Sequence, residues 1–173
     1  MMPGFDVRLS SMKRALSEVI IPAIDGDSSL AQEQAALLLG HLELISQQWS
    51  KVSRYNQICL DEICQLAKQL NPVGKEATES AALKLKQAMA AATDDSEAAY
   101  KEIAGALENL VYAIDIDGDP DFRASLHRQV LLYSQQQALR DRVWFATCGF
   151  DVNAKALPSI DEIITSHKEA GRG

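Results

Sequence analysis

The chain is short of the features that announce a chemistry. It has three cysteines, an odd number, which argues against a disulfide framework. Cys59 and Cys64 stand five apart, on different faces of a helix, a spacing that matches no zinc site. The third is Cys148, beside Gly149; a thiol there lies at the wrong end of a helix for the dipole to stabilise its thiolate. Free thiols packed as small hydrophobes are therefore expected.

Aromatic residues make up only 6% of the chain, and no run alternates apolar with polar residues between turn dipeptides. Strands are therefore not expected. No apolar run approaches the twenty residues a bilayer needs; the longest, around "EVIIPAI", is far too short. No basic stretch followed by an apolar one opens the chain, so no signal peptide is expected, and the cytoplasm is the expected compartment. Basic residues are also few. The formal net charge is −7 and the pI about 4.9, an acidic balance that repels phosphate backbones and argues against nucleic acid as a partner.

Catalytic signatures are missing in the same way. No serine sits in a Gly-x-Ser-x-Gly elbow, and the Gly-Lys of "NPVGKEATES" lacks the first glycine of a phosphate loop. Three histidines are present: His41, His127 and His167. A di-iron bundle needs Glu-x-x-His twice, but Leu38 and Ala124 occupy the glutamate positions before His41 and His127. Metal-dependent DinB-like bundles need two histidines four apart, and Arg123 and Leu131 flank His127 instead. Phosphotransfer domains need His-x-x-Lys-Gly, and neither "HLELI" nor "HRQVL" supplies it. What is left for a divalent metal is a two-histidine site of His41 and His127, completed by Glu43, Asp121 or another acid.

"DIDGDPDF", residues 115–122, resembles a calcium loop. Counted from Asp115, the acids fit positions 1, 3 and 5, but the glycine falls at position 4 and Leu126 at position 12, where a bidentate glutamate is required. A turn between helices accounts for the same residues. Gly118 permits positive φ, Asp119 caps the next helix, Pro120 suits its first position, and Asp121 adds charge to its first turn.

Against these absences, 47% of 173 residues are apolar and the length suits one domain with a packed core. Helical periodicity runs almost throughout. A first helix is expected over 8–24, kinked or ended by Pro22. Ala35, Leu38, Leu42, Ile45, Trp49, Val52, Asn56, Cys59, Ile63, Leu66 and Leu70 then alternate steps of three and four, which predicts one very long helix over 29–70, about 65 Å if unbroken. Further helices are expected over 76–92, 97–114 and 120–147. The last carries two offset apolar stripes, Phe122/Leu126/Val130/Tyr133 and Leu132/Leu139/Val143/Ala146, which predict burial on two sides. A short amphipathic piece follows around Ile160 to Ile164. The fold class is all-α: an up-and-down bundle of four to five helices in a single domain over 1–173, with 1–7 and 168–173 disordered.

Two polar features stand out in this frame. Asn56 interrupts the long seam, and with Trp49 it is a candidate for fixing core register or oligomeric state. Arg140, with Trp144 one turn on, is a candidate lining for an acidic-ligand pocket; the alternative is a structural pair with a glutamate on a neighbouring helix.

The opening "VRLSSMKRALSEVIIPAI", followed by "AQEQAALLLGHLELI", resembles the start of some uncharacterised bacterial all-helical proteins, over the first third of the chain. The resemblance implies a bacterial cytoplasmic bundle and assigns no activity. The functional expectation is a non-catalytic interaction or accessory protein, a homodimer that meets a protein partner and neither nucleic acid nor membrane. The alternatives are a bundle enzyme or small-molecule binder using His41, His127 and Arg140, and a phosphotransfer module.

Overall fold

The computed structural model describes residues 4–146 and 151–170, with side chains described to residue 165. Cys148 and Gly149 lie outside the described residues, as does the side chain of His167. All the regular structure described is helical; a single isolated bridge joins Gly74 and Gly118. Among the described residues no helix is long and apolar enough to cross a membrane.

Among the described residues seven helices follow in order. Helix α1 covers residues 5–23 as Phe5–Ala15, a π turn at Leu16–Ile20, and a last α turn at Ile21–Ala23. Then come α2 (Ser29–Gln48), α3 (Val52–Gln69), α4 (Glu76–Ala90), α5 (Ser96–Asp117), α6 (Pro120–Trp144) and, after a 3-10 turn at Ala154–Ala156, α7 (Ile160–Ala170). Residues 5–7, expected to be disordered, open α1, and 168–170 belong to α7; residues 1–3 and 171–173 lie outside the described residues.

The chain divides into two compact units: Met1–Val52 with Arg142–Ile160, and Ser53–Asp141 with Asp161–Gly173. In the first, α1 and α2 pack together. Pro22 explains the π turn. It has no N–H to donate, and its ring would press on the carbonyl of Glu18; widening the preceding turn, with Ile21 N–H donating to Leu16 O, relieves that clash. Leu9, Leu16 and Ala35 are buried, as are Val143 and Trp144 from the end of α6. The Gln48 side-chain amide donates to Trp144 O at 2.6 Å, satisfying a carbonyl at the C-terminus of α6.

The helical span 29–70 is divided. Trp49, Ser50 and Lys51 form a turn between α2 and α3. Trp49 is held by α1: its ring meets Phe5 edge-on, with centroids 4.8 Å apart, and its Nε1 donates to Asp6 Oδ1 at 2.8 Å. The seam behaves differently on either side of this turn. Beyond it, Cys59, Ile63, Leu66 and Leu70 are all buried. Before it, Ala35 is buried, but Leu38, Ile45 and Trp49 are exposed, as is Val52 at the start of α3. In α2 the inward sector consists of Ala31, Ala35, Leu39, Leu42 and Ser46, all buried or half-buried. A strict seven-residue repeat does not describe a straight helix whose packing face follows a period of 3.6.

The second unit is a four-helix core. Leu60, Ile63, Leu66 and Ala67 of α3, with Leu70 just past its end, meet Ala81 and Leu85 of α4, Ala99, Ile103, Leu107, Leu110, Ala113 and Ile114 of α5, and Phe122 and Leu126 of α6. The alanines let α4 and α5 run close together. The predicted stripe of Phe122, Leu126, Val130 and Tyr133 on α6 packs against this core. The offset stripe divides: Leu132 and Leu139 are exposed, whereas Val143 is buried and Ala146 half-buried.

The aspartate-rich stretch ties this unit at one end. Asp117, the last residue of α5, accepts from Ala77 N–H at 2.8 Å, Thr78 N–H at 3.0 Å and Thr78 Oγ1 at 2.7 Å. It therefore caps α4 from a distance in sequence. Asp119 accepts from Asp121 N–H and Phe122 N–H, both at 3.0 Å, and caps α6. Gly118 has φ −67°, so the positive φ expected of it is not what demands glycine. Close approach does. A Cβ there would stand 2.6 Å from Ile114 O. The Thr78 hydroxyl, more than any other group, holds the Asp117 carboxyl below its usual pKa.

Candidate functional site

Helical spacing on three elements of the second unit builds a polar cluster beside its apolar core. On α3, Tyr55, Asn56, Cys59 and Glu62 recur at steps that keep them on one side. Tyr133, Gln137, Arg140 and Asp141 do the same on α6, and Glu97, Tyr100 and Lys101 come from the first turns of α5. Asp95 fixes the start of α5 by accepting from Glu97 N–H and Ala98 N–H, both at 3.1 Å.

Arg140 organises the cluster. It is 5% exposed, one of two polar or charged residues buried to this degree among those described. Its Nη2 pairs with Glu62 Oε2. Its Nη1 donates to Gln137 Oε1 at 2.6 Å and lies 3.7 Å from Cys59 Sγ. Burial is the largest influence and works against the charge, but Glu62 and Cys59 together outweigh it and the guanidinium pKa is raised. Arg140 is held as a cation by a glutamate on a neighbouring helix.

Gln137 passes the network on. Its amide donates to Asp141 Oδ1 at 2.9 Å and lies 3.7 Å from Cys59 Sγ. The Tyr55 hydroxyl donates to the same Asp141 oxygen. Burial, then that hydrogen bond, pushes the Tyr55 phenol far up, so it stays a donor. Tyr133 is raised in the same way, first by burial and then by its contact with Tyr100. Lys101 Nζ bonds Glu97 Oε1 at 2.6 Å. A cavity of about 260 Å3 opens in this cluster, lined by Tyr55, Asn56, Cys59, Glu97, Tyr100, Lys101, Gln137 and Asp141.

The residues singled out in the sequence distribute as follows. Arg140 lies in this cluster and belongs to the second unit, whereas Trp144 belongs to the first. Asn56 lines the cavity, half-buried, and Trp49 braces α1. His41 is exposed on α2 in the first unit, and His127 is exposed on α6 in the second. His127 Nε2 stands 3.7 Å from Asp115 Oδ1 in a solvent-facing pair. Glu43, a suggested third ligand, bonds Lys13 Nζ at 2.7 Å. Asp121 is exposed in the first turn of α6. Among the described residues no three His, Cys, Asp or Glu side chains converge as a metal ion would require.

The cavity itself was not legible in the sequence. Its signal was the polar residues that interrupt or flank the α3 seam, Tyr55, Asn56 and Glu62, set against "QQQALRD" on α6. No protein-family model matches the chain, and comparison with curated proteins and with solved structures finds no significant match.

Proposed function

We propose that the protein is a non-catalytic, cytoplasmic interaction protein that pairs with a second copy of itself through α2. The observation that carries this reading is the exposed apolar sector of that helix. At 3.6 residues per turn, Leu30, Gln34, Leu37, Leu38, His41 and Ile45 fall within a sector of roughly 100°. Leu30, Leu37, Leu38 and Ile45 are 68%, 48%, 51% and 41% exposed.

The charge pattern favours a second copy as the occupant. The chain carries a net charge of −7, so most of its surface repels another copy. This sector contains no Asp, Glu, Lys or Arg. A two-fold pairing sets a surface against itself, and here it brings no like charges together.

The area sets the strength. The four side chains leave about two residues' worth of apolar surface in water on each copy. Burying it would contribute roughly 3–6 kcal/mol per copy at ~1.5–3 kcal/mol per side chain. Association costs about 4–15 kcal/mol against roughly 6–12 kcal/mol for the two copies, so the dimer is weak, about micromolar at its tightest. Sedimentation equilibrium over a wide concentration range tests it. The native chain should pass from monomer to dimer, and Leu38→Glu should hold it monomeric with unchanged helical content. A native chain that stays monomeric up to millimolar concentration would overturn the reading.

A further inference from the structure

The cavity beside Asp141, one of several in the second unit, carries a chemistry separate from the α2 face. Its size limits the occupant. Pockets for drug-sized ligands run from about 300 to 1,000 Å3. One of about 260 Å3 takes a fragment of a few heavy atoms.

Its charges limit the occupant further. Five ionic side chains stand in and behind its wall. Glu62 takes Arg140, and Glu97 takes Lys101. Asp141 is left, with no cation within ion-pairing distance among the described residues, so the wall carries one excess negative charge. Asp141 is also only partly used as an acceptor. The Tyr55 hydroxyl and the Gln137 amide both donate to Oδ1, leaving Oδ2 for a further donor. Arg140 does not offset this for an incoming anion, because its donors already serve Glu62, Gln137 and Cys59.

The remaining lining is aromatic or neutral. Tyr55 and Tyr100 line the cavity together, and tyrosine faces attract cations at close range. Asn56, Cys59 and Gln137 add no charge. A bare metal ion suits this wall poorly, since one available carboxylate does not replace a hydration shell. An N–H donor with a short apolar tail uses all of it: the charge meets Asp141, and the tail meets the rings.

We propose that this cavity binds a small organic ammonium ion, a protonated amine of a few carbons, with Asp141 as its counter-ion and Tyr55 and Tyr100 as its aromatic walls. The nitrogen donates to Asp141 Oδ2, and no covalent step is involved.

Calorimetric titration of the full chain with n-butylammonium chloride tests this, with butan-1-ol and sodium butyrate as neutral and anionic counterparts of similar size. Butylammonium should saturate, and bind at least about tenfold more tightly than butanol, the worth of one charge-assisted hydrogen bond. Butyrate should bind no better than butanol. Asp141→Asn should abolish the preference, because the amide oxygen still accepts from Tyr55 and Gln137 while the charge is gone. Lys101→Gln should strengthen it, because the charge of Glu97 is then uncovered. Equal binding of butylammonium and butanol, or a preference that survives Asp141→Asn, would overturn the proposal. Should Asp141→Asn lose its helical circular dichroism, Lys101→Gln decides alone: tighter binding supports the site, and unchanged binding overturns it.

Discussion

Replacing Glu62 with alanine would leave the Arg140 guanidinium buried with only neutral partners. The side chain of Arg140 is 6% exposed and that of Glu62 is 21% exposed, so the two ends of the pair are unequal. Arginine stays charged at any pH that a protein survives, so it cannot escape by losing its proton. Gln137 Oε1 is a neutral acceptor, and Cys59 Sγ is a weak one. Breaking a buried pair from one side costs about 3–5 kcal/mol, and Glu62→Ala should fall in that range. Arg140→Met should cost less, about 1–2 kcal/mol, because Glu62 is partly wet and an apolar chain of similar length fills the space. The double variant should resemble Arg140→Met, because the stranded cation is gone. Its stability should therefore exceed that of Glu62→Ala alone. Urea denaturation followed by helical circular dichroism measures all three, since both tryptophans lie in the other unit. A Glu62→Ala variant within 1 kcal/mol of the native chain would refute the reasoning, as would a double variant less stable than Glu62→Ala.

Two further predictions concern the tie at the end of the second unit. Gly118→Ala sets a Cβ 2.6 Å from a backbone carbonyl that cannot rotate away, and should cost about 1–3 kcal/mol in the same denaturation assay; an unchanged midpoint would refute close approach as the reason for glycine. Asp117 has a folded pKa below that of the unfolded chain, so its contribution is present above the unfolded value of about 3.9 and is lost as pH falls through the folded one. Asp117→Asn should therefore lower stability at neutral pH and flatten the acid limb of the stability profile, whereas parallel acid limbs for the two proteins would show that the cap is not charged.

Most helix ends were legible because their punctuation is local; the division at Trp49–Lys51, which no proline or glycine marks, was not. Pro22, Asn71 with Pro72, Asp95 and Pro120 each act on their own few residues, and the boundaries fall within a turn of where those residues place them. The inward face of α2 was not legible, because steps of three and four describe two adjacent sectors of a helix almost equally well. Leu38 and Ile45 fit the seam by spacing, yet Leu39 and Ser46 are the ones that turn inward. Nothing in α2 forces that choice, as a helix with only two charged residues, Glu33 and Glu43, marks no polar side. On α3 the choice is forced: Ser53, Asp61, Gln65 and Lys68 gather on one exposed side and leave the opposite face for burial. The same contrast explains the cavity. A polar residue beside a core seam reads as an interruption when one helix is taken alone. It becomes part of a site only when the facing helix brings its complement. Asn56 interrupts the seam of α3, and Gln137 and Asp141 flank the stripe of α6. Each is unremarkable by itself. Only packing sets the Tyr55 phenol against Asp141, and only packing commits Arg140 to Glu62, so the charge left over belongs to the assembled unit and to no single stretch of the sequence.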